Sequence, residues 1–217
     1  LLESRGLGDV YKRQAHELGF KTTATIMYGH VEKPIHWARH LLRVRDLQAR
    51  TGGFTEFVPL PFVHMEAPMY LKGKARKGPT FREAVLMHAV SRLVLHGQID
   101  NIQTSWVKMG HEGVKACLNA GSNDLGGTLM NESISRAAGT LHGQETTPNE
   151  MNTIIHQLNR NARQRNTLYS NVSKERVAQG LRRIELAEIV NTPAKKYERK
   201  AAKRELVKNI PPKRKVS

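Results

Sequence analysis

The sequence is poor in the features that mark secreted and membrane proteins. Of its 217 residues only Cys117 is a cysteine, so no disulfide framework can form within the chain. No apolar run reaches the roughly 18 residues of a membrane span, and no charged start leads into an apolar segment with a cleavage site. These absences predict a protein without a membrane span or a secretory signal, in the cytoplasm, where thiols stay reduced.

Acidic residues are scarce as well. The chain has 19 of them against 35 lysines and arginines, which gives a formal net charge of +16. The excess is concentrated in 195–217, where ten basic residues accompany two glutamates, with Tyr197 as the one aromatic residue. Single-strand-binding surfaces interleave aromatics with their basic residues. We therefore expect 171–217 to be a basic tail, helical or disordered, that binds nucleic acid only non-specifically through salt-dependent phosphate contacts. A basic nucleic-acid-binding protein is the alternative interpretation.

The first 14 residues, LLESRGLGDVYKRQ, differ in character from residues 15–170. They carry no sustained hydrophobic period and no helix cap, and GLGDVYKRQ is similar to translated adapter or vector sequence. We interpret 1–14 as a foreign segment and leave it out of the functional argument. The alternative is a frayed N-terminal helix.

Strand-like and helix-like stretches alternate four times along 15–170. The β-rich stretches 21–28, 54–60, 99–106 and 123–130 predict strands, and a helical pattern follows each of them. Such alternation is typical of parallel βα units, either in a doubly wound sheet or in part of a (β/α) barrel. The residues predicted to be buried in the first two helices are Trp37, Leu41, Val44 and Leu47, and Leu86, Ala89, Val90, Leu93 and Val94.

The connections carry further signals. The 61–78 segment is long for a loop and contains aromatic and methionine residues, which favours a packed lid. Helices are predicted at 113–120, 132–138 and 173–190, and Thr147 with Glu150 forms a capping box for another. In the 121–143 stretch a glycine pair and a helix start at Asn131 suit a small polar or anionic ligand, although a βα turn without a ligand has the same pattern.

Five blocks of the sequence resemble the C-terminal half of the radical S-adenosylmethionine (SAM) enzymes of the FO synthase family. They are TTATIMYGHVE, GGFTEFVPLPFVH, NIQTSWVKMG, NDLGGTLMNESISRAAGTLHG and RQRNTLY, in that order. The resemblance covers about 17–169 and is greatest to the tyrosine-coupling component. It implies an α/β fold, the C-terminal half of a radical SAM (β/α) TIM-like barrel with parallel strands, followed by C-terminal helices. Radical SAM enzymes of the menaquinone (futalosine) pathway are cousins and supply the alternative function.

The resemblance also implies a reaction. In this family a [4Fe–4S] cluster, held by a Cys-x-x-x-Cys-x-x-Cys motif, cleaves S-adenosyl-L-methionine to a radical that oxidises L-tyrosine. The 4-hydroxybenzyl fragment then joins 5-amino-6-(D-ribitylamino)uracil, and the other FO synthase component is a candidate partner. A single cysteine cannot hold such a cluster. We therefore expect a fragment that is inactive alone, with Cys117 in the core and the cluster motif upstream of Lys21.

The resemblance assigns roles to particular residues. Four residues match the spacing of a motif that lines the adenine of SAM, although an ordinary strand end would look the same: Thr25, Met27, Gly29 and Glu32. Eight are candidates for binding the substrates: Glu56, His64, Gln103, Ser105, Asn123, Asp124, Thr128 and His142. Structural roles are the alternative for the two histidines, and exposure to solvent is the alternative for Glu56, whose charge otherwise needs a cationic partner. The helical spacing of His36 and His40 lacks the glutamate of a zinc-protease helix, so no metal site is predicted.

Overall fold

The structure, a computed structural model, describes residues 2–129 and 132–182. The helices are α1 (Leu2–Glu17), α2 (Pro34–Thr51), α3 (Pro68–Leu71), α4 (Phe81–Leu95), α5 (Trp106–Asn119), α6 (Ile134–Ala137), α7 (Pro148–Gln157) and α8 (Lys174–Leu181), and the strands are β1 (Thr22–Tyr28) and β2 (Phe54–Pro61). The predicted cap at Asn131, the last residue of the fourth predicted strand and positions 183–217 lie outside the described residues.

The sheet is parallel and keeps the order of the chain. β1 pairs with β2 in parallel, from Thr22 opposite Phe54 to Tyr28 opposite Pro61. Two further segments extend the sheet through single parallel bridges, one between Phe57 and Ile102 and one between Gln103 and Asp124. The predicted parallel arrangement is therefore confirmed for these segments.

The third and fourth predicted strands are much shorter than the predictions 99–106 and 123–130. Trp106 already begins α5, which ends the third extended segment. In the fourth, the carboxylate of Asp124 accepts a hydrogen bond from the backbone N–H of Gly126 at 2.7 Å, and this local turn ends the ladder.

The two faces of β1 differ, as the period of two requires. Ala24, Ile26 and Tyr28 are buried in a core with α2 and α4. Thr25 and Met27 point to the opposite face, where Met27 is 53% exposed. This second face carries several of the predicted site residues.

The burial of α2 follows the prediction, whereas that of α4 follows it only in part, since Val94 packs against the core. In α2 Leu41, Val44 and Leu47 are buried, and Trp37 packs against the same core. In α4 the predicted Leu86, Val90 and Leu93 are exposed, and the buried residues are Ala84, Met87, His88, Ser91 and Leu95. On this face Ser91 donates to the carbonyl of Met87 at 2.6 Å, and His88 Nδ1 contacts that of Ala84 at 2.8 Å. His88 Nε2 is buried without a hydrogen-bond partner among the described residues.

Other helix predictions are partly right. The predicted capping box of α7 is confirmed, since Thr147 Oγ1 accepts the N–H of Glu150 at 3.2 Å. The helix predicted at 113–120 starts earlier, at Trp106, with non-helical backbone at Gly110, and the one predicted at 132–138 is limited to Ile134–Ala137. Most of 1–14 lies within α1, and whether the segment is foreign or genuine stays a prediction. Within the described residues, no helix combines the length and apolar character that crossing a membrane needs.

Candidate functional site

A row of polar side chains crosses the sheet, from the N-terminal halves of β1 and β2 to the third and fourth strand segments. Its centre is Glu56, the third residue of β2, whose side chain is 14% exposed. The carboxylate accepts hydrogen bonds from Thr23 Oγ1 at 2.9 Å and from Gln103 Nε2 at 3.0 Å. Glu56 therefore does not point into solvent, and the alternative considered from the sequence is wrong.

The chain that follows α7 contributes two more members of this row. The phenol of Tyr169 donates to Glu56, and the guanidinium of Arg165 forms a bidentate pair with Asp124. Arg165 Nη2 also lies 3.6 Å from Glu56 Oε2, and its guanidinium carbon lies 3.9 Å from the centre of the Tyr169 ring. Arg165 is the cationic partner that the charge of Glu56 was expected to need.

The electrostatics of this network favour a fixed set of protonation states. The hydrogen bond to Asp124 raises the pKa of Arg165, which stays charged. Burial, and then the hydrogen bond to Glu56, raise the pKa of Tyr169, so the phenol stays a neutral donor. Two carboxylates thus share one guanidinium and take their remaining hydrogen bonds from neutral groups, as partly buried charges require.

Asn123 lies beside the network, but its side chain forms hydrogen bonds with backbone groups of the neighbouring strand segment. Its amide oxygen accepts from the N–H of Ile102 at 2.9 Å and from Arg92 Nη2 at 2.8 Å, and its amide nitrogen donates to the carbonyl of Asp100 at 3.0 Å. This side chain joins the starts of two neighbouring strand segments. These hydrogen bonds explain why position 123 is an asparagine, without a role in binding a ligand.

A cleft of about 900 Å³ opens between the fourth strand segment, α7 and the chain from Arg160 to Tyr169. Its lining includes four of the eight predicted substrate residues: Gln103, Asn123, Asp124 and Thr128. The other four are not part of this lining. The structure therefore divides the predicted substrate set into two groups.

Three residues of the second group, Ser105, His64 and His142, lie toward the C-terminal ends of the strands, whereas the fourth, Glu56, is the centre of the polar row. Ser105 directly precedes α5, and its side chain makes no capping hydrogen bond. The ring of His64 meets that of Tyr70 edge to face, with centroids 4.7 Å apart. His142 lies against Gly110, where an added Cβ would be 2.7 Å from its Nδ1. Both histidines pack on the protein itself, and their contact with a substrate stays a prediction.

Two connections meet over this end of the sheet. The backbone N–H of Glu66, after β2, donates to the carbonyl of Ala138 at 3.1 Å. A Cβ added at Gly139 would come within 2.6 Å of Met65 Cβ, so the two segments pack closely. One connection follows β2 and the other follows the fourth strand segment, so their contact spans the third segment between them. We name residues 62–67 and 132–146 the roof. The predicted lid, 61–78, therefore packs on the protein only in part, because its Met65 and Met69 are exposed.

The four residues of the predicted SAM motif have different surroundings in the structure. The carboxylate of Glu32 accepts from the N–H groups of Gly29, His30 and Val31 and from the indole of Trp37. Burial opposes its ionisation, yet these donors prevail and lower the pKa of Glu32 to about 2. The carboxylate thus closes a turn of its own chain.

Gly29 is also explained without a ligand. Its φ of +95° is in the left-handed region, and an added Cβ would overlap the ring of Pro79. Thr25 and Met27, in contrast, present exposed side chains on the open face of β1. These two fit an adenine ring better than Gly29 and Glu32 do, and a role of any of the four toward SAM stays a prediction.

The described residues do not fit an iron–sulfur cluster. Cys117 is fully buried, as predicted, and burial raises the pKa of its thiol to about 12, whereas a cluster ligand must be a thiolate. No group of three or more His, Cys, Asp or Glu side chains in 2–129 and 132–182 is arranged to hold a metal ion. The ring of His36 accepts from the N–H of Lys33 at 3.2 Å, and that of His40 lies 6.2 Å from Phe57.

Comparison with known proteins assigns the family. The family model for the CofH/MqnC C-terminal region matches residues 51–177. The chain belongs to this family. It is 56% identical to the FO synthase of Mycobacterium leprae over 156 residues, which are 72% of this chain and 18% of that protein. It is 52% identical to the FO synthase of Streptomyces coelicolor over 162 residues, which are 75% of this chain and 19% of that protein.

An archaeal relative is shorter. The 5-amino-6-(D-ribitylamino)uracil–L-tyrosine 4-hydroxyphenyl transferase of Methanopyrus kandleri is 52% identical over 160 residues, 74% of this chain and 43% of that protein. The chain thus spans less than half the length of each of these relatives. Because they are a synthase and a transferase, the CofH/MqnC chain described here is part of an enzyme family.

Two polar residues of the network in this CofH/MqnC chain were missed from the sequence. Arg165 and Tyr169 belong to the RQRNTLY block. Neither of them interrupts an apolar strand, as Glu56 does in β2. The available signal was their place inside blocks that resemble the family.

Proposed function

We propose that this chain is the C-terminal half of a radical SAM barrel from an enzyme of deazaflavin (FO) biosynthesis. The whole enzyme would couple the 4-hydroxybenzyl group of L-tyrosine to 5-amino-6-(D-ribitylamino)uracil. The main support is the 52% identity to the Methanopyrus kandleri transferase, whose name specifies this pair of substrates. L-Tyrosine and the pyrimidine are therefore the proposed substrates.

The geometry supports a barrel half. Parallel segments follow one another in chain order, an apolar face packs on helices, and a polar face stays open. In (β/α) barrels the open face of such a sheet lines the interior, and the connections after the strands surround the active site. The roof lies at that end, and the network of Glu56, Asp124, Arg165 and Tyr169 lies toward the other.

The cofactors divide between this chain and the rest of the enzyme. A [4Fe–4S] cluster would supply the electron for cleavage of SAM, and its ligands would come from the part of the enzyme outside this chain, because the described residues offer none. The face around Thr25 and Met27 would contact SAM. By itself the chain is expected to be inactive, and the other FO synthase component is a candidate partner.

The menaquinone pathway is the second candidate function. The description of the matching family model names MqnC beside CofH, so the match does not discriminate between them. The FO synthases and the transferase among the relatives favour the first function. The two differ in substrate, so a direct assay separates them.

The test is a chimera in which residues 15–170 replace the matching region of the Methanopyrus kandleri transferase. After anaerobic reconstitution we expect a cluster absorbance and, with SAM, L-tyrosine and the pyrimidine, formation of the coupled product by mass spectrometry. A chimera that holds its cluster but turns over only a futalosine substrate, or neither substrate, would refute the assignment.

The isolated chain is the control for this test. Reconstituted alone, it should show no [4Fe–4S] absorbance and no product. A stoichiometric cluster on this polypeptide would contradict the division of roles between the two halves.

A further inference from the structure

Lys108 lies at the C-terminal end of the third strand segment, in the first turn of α5. This position follows Gln103 and Thr104, the last residues of the segment that take part in the sheet. In (β/α) barrels, reacting groups gather at this end of the strands. Lys108 is therefore placed where a polar substrate group would be bound.

The ammonium group of Lys108 contacts the roof. Lys108 Nζ donates to Ser135 Oγ at 3.3 Å, and Ser135 belongs to the roof segment that contacts Glu66 through Ala138. The side chain is half-buried. It thus lies between the strand end and the roof, and not in open solvent.

No carboxylate of the described residues forms an ion pair with Lys108. The nearest in effect is Glu132, whose charge acts on the lysine, but its oxygens accept the N–H groups of Ser135 and Arg136. A lysine ammonium carries three N–H donors, and the hydroxyl of Ser135 accepts only one of them. Such a group gains from an anion brought in from outside.

The roof also holds a polar group without a partner, in the same turn as Ser135. The hydroxyl of Thr140 is buried, with the residue 8% exposed, and has no hydrogen-bond partner among the described residues. The backbone N–H of Thr140 donates to the carbonyl of Ser135 at 3.0 Å, so the two residues share one turn. This hydroxyl is therefore available to donate a hydrogen bond beneath the roof.

We propose that Lys108 binds the carboxylate of the amino acid substrate beneath the roof, with the hydroxyl of Ser135 as a neighbouring donor. This inference rests on the proposed function, since it names the residue that receives one of its substrates. A carboxylate suits the position better than a neutral pyrimidine oxygen, because a compact ammonium interacts most strongly with a full negative charge. The pKa of Lys108 agrees with this choice. Burial lowers it, because the ammonium loses contact with water, and a bound carboxylate would replace that lost solvation.

The test measures binding of L-tyrosine and tyramine to the chain at millimolar ligand concentration, by ligand-observed NMR. Tyramine keeps the phenol and the amine but lacks the carboxylate. Lys108→Gln should weaken L-tyrosine binding by about 10- to 100-fold, the usual effect of losing a hydrogen bond between charged groups, and leave tyramine binding unchanged. Lys108→Arg should restore part of the affinity for L-tyrosine.

Lys115 supplies the matched control. It lies on the same helix, but its ammonium pairs with Glu112 at 2.8 Å, so Lys115→Gln should leave the binding of both ligands unchanged. Melting curves of all variants verify that they are folded. In the chimera, Lys108→Gln should raise KM for L-tyrosine by a similar factor and leave KM for the pyrimidine unchanged.

The outcomes separate this inference from the proposed function. Equal affinity of wild type and Lys108→Gln for L-tyrosine, no binding of L-tyrosine by the wild-type chain, or equal loss of tyramine binding would overturn the role of Lys108. A change in KM for the pyrimidine alone would also overturn it. The proposed function fails separately, if the cluster-loaded chimera makes no coupled product whatever the residue at position 108.

Discussion

The phenol of Tyr169 donates a hydrogen bond to the carboxylate of Glu56 across 113 positions of the chain. Arg165, four residues earlier, pairs with Asp124 and stacks on the Tyr169 ring. The segment after α7 is thereby fixed to β2 and to the fourth strand segment. In a βα repeat the last helix returns the chain to the N-terminal ends of the strands, and these contacts lie nearer that end.

The network changes the interpretation of three predicted substrate residues. Protein groups bond the side chains of Glu56, Gln103 and Asp124, and the carboxylates share the charge of Arg165. In the proposed barrel half Glu56 and Asp124 lie nearer the N-terminal face, where residues usually serve stability. We therefore expect substitutions in this network to change the free energy of unfolding more than the affinity for a substrate.

The first prediction concerns Tyr169. Tyr169→Phe removes one donor to a charged carboxylate and keeps the ring against Arg165, so the free energy of unfolding should fall by about 1–2 kcal/mol. Urea denaturation followed by tryptophan fluorescence measures it. Tyr11→Phe is the control, because Tyr11 is 64% exposed in α1 and its substitution should have little effect. Equal stability of the Tyr169 and Tyr11 variants would contradict the network.

The second prediction concerns Arg165. Arg165→Lys keeps the charge but loses the bidentate geometry toward Asp124, and should cost about 1–3 kcal/mol of unfolding free energy. Arg45→Lys is the matched control, since Arg45 and Asp46 form a solvent-exposed pair whose side chains are 43% and 60% exposed. Exposed pairs contribute at most about 1 kcal/mol. A double-mutant cycle with Asp124→Asn should give a coupling energy clearly above zero, and a coupling within error of zero would refute the pairing.

The fold predictions that were confirmed depended on local sequence patterns. β1 and β2 were predicted because a short β-rich run ends at turn residues, and the buried face of α2 because Leu41, Val44 and Leu47 recur at helical spacing. The phase of α4 was wrong for a physical reason. Hydrophobicity favoured Leu86, Val90 and Leu93, but the face of His88 and Ser91 is the buried one, and Ser91 Oγ and His88 Nδ1 bond to carbonyl groups of their own helix.

Contacts between distant parts of the chain could not be predicted in this way. That Glu56 needs a partner follows from the cost of burying a charge, but nothing local indicates that Arg165 and Tyr169 provide it. Gly29 shows the same limit. A glycine after a strand suggests the approach of a ligand, whereas the group that excludes a side chain there is Pro79, fifty residues along the chain.

The third prediction concerns the pH dependence of stability at Glu32. Its pKa is lowered to about 2 in the folded chain from an ordinary value of 4.5, so the ionised carboxylate stabilises the fold above the higher value. That contribution, on the order of 3 kcal/mol at neutral pH by this linkage, is lost as the pH falls through the folded pKa. Glu32→Gln should therefore be destabilising at pH 7, and the difference from wild type should shrink between about pH 5 and pH 2.

The control for Glu32 is Glu17, which pairs with Arg13 on the surface, its side chain 53% exposed. Glu17→Gln should change the unfolding free energy by less than about 1 kcal/mol at any pH. A difference between Glu32→Gln and wild type that stays constant down to pH 2 would mean that the carboxylate charge is not what stabilises the turn.

The last prediction distinguishes two reasons why a position needs glycine: a left-handed backbone, and a lack of space for a Cβ atom. Gly29 and Gly19 have similar backbone angles, with φ of +95° and +88°, but only at Gly29 would an added Cβ overlap another residue, Pro79. Gly19→Ala should cost about 1–2 kcal/mol, the strain of the left-handed conformation alone. Gly29→Ala should cost at least about 3 kcal/mol, because the turn or the start of α4 must also move. Equal costs in denaturation experiments would show that Pro79 yields freely, and the need for glycine at position 29 would then have to come from a bound ligand.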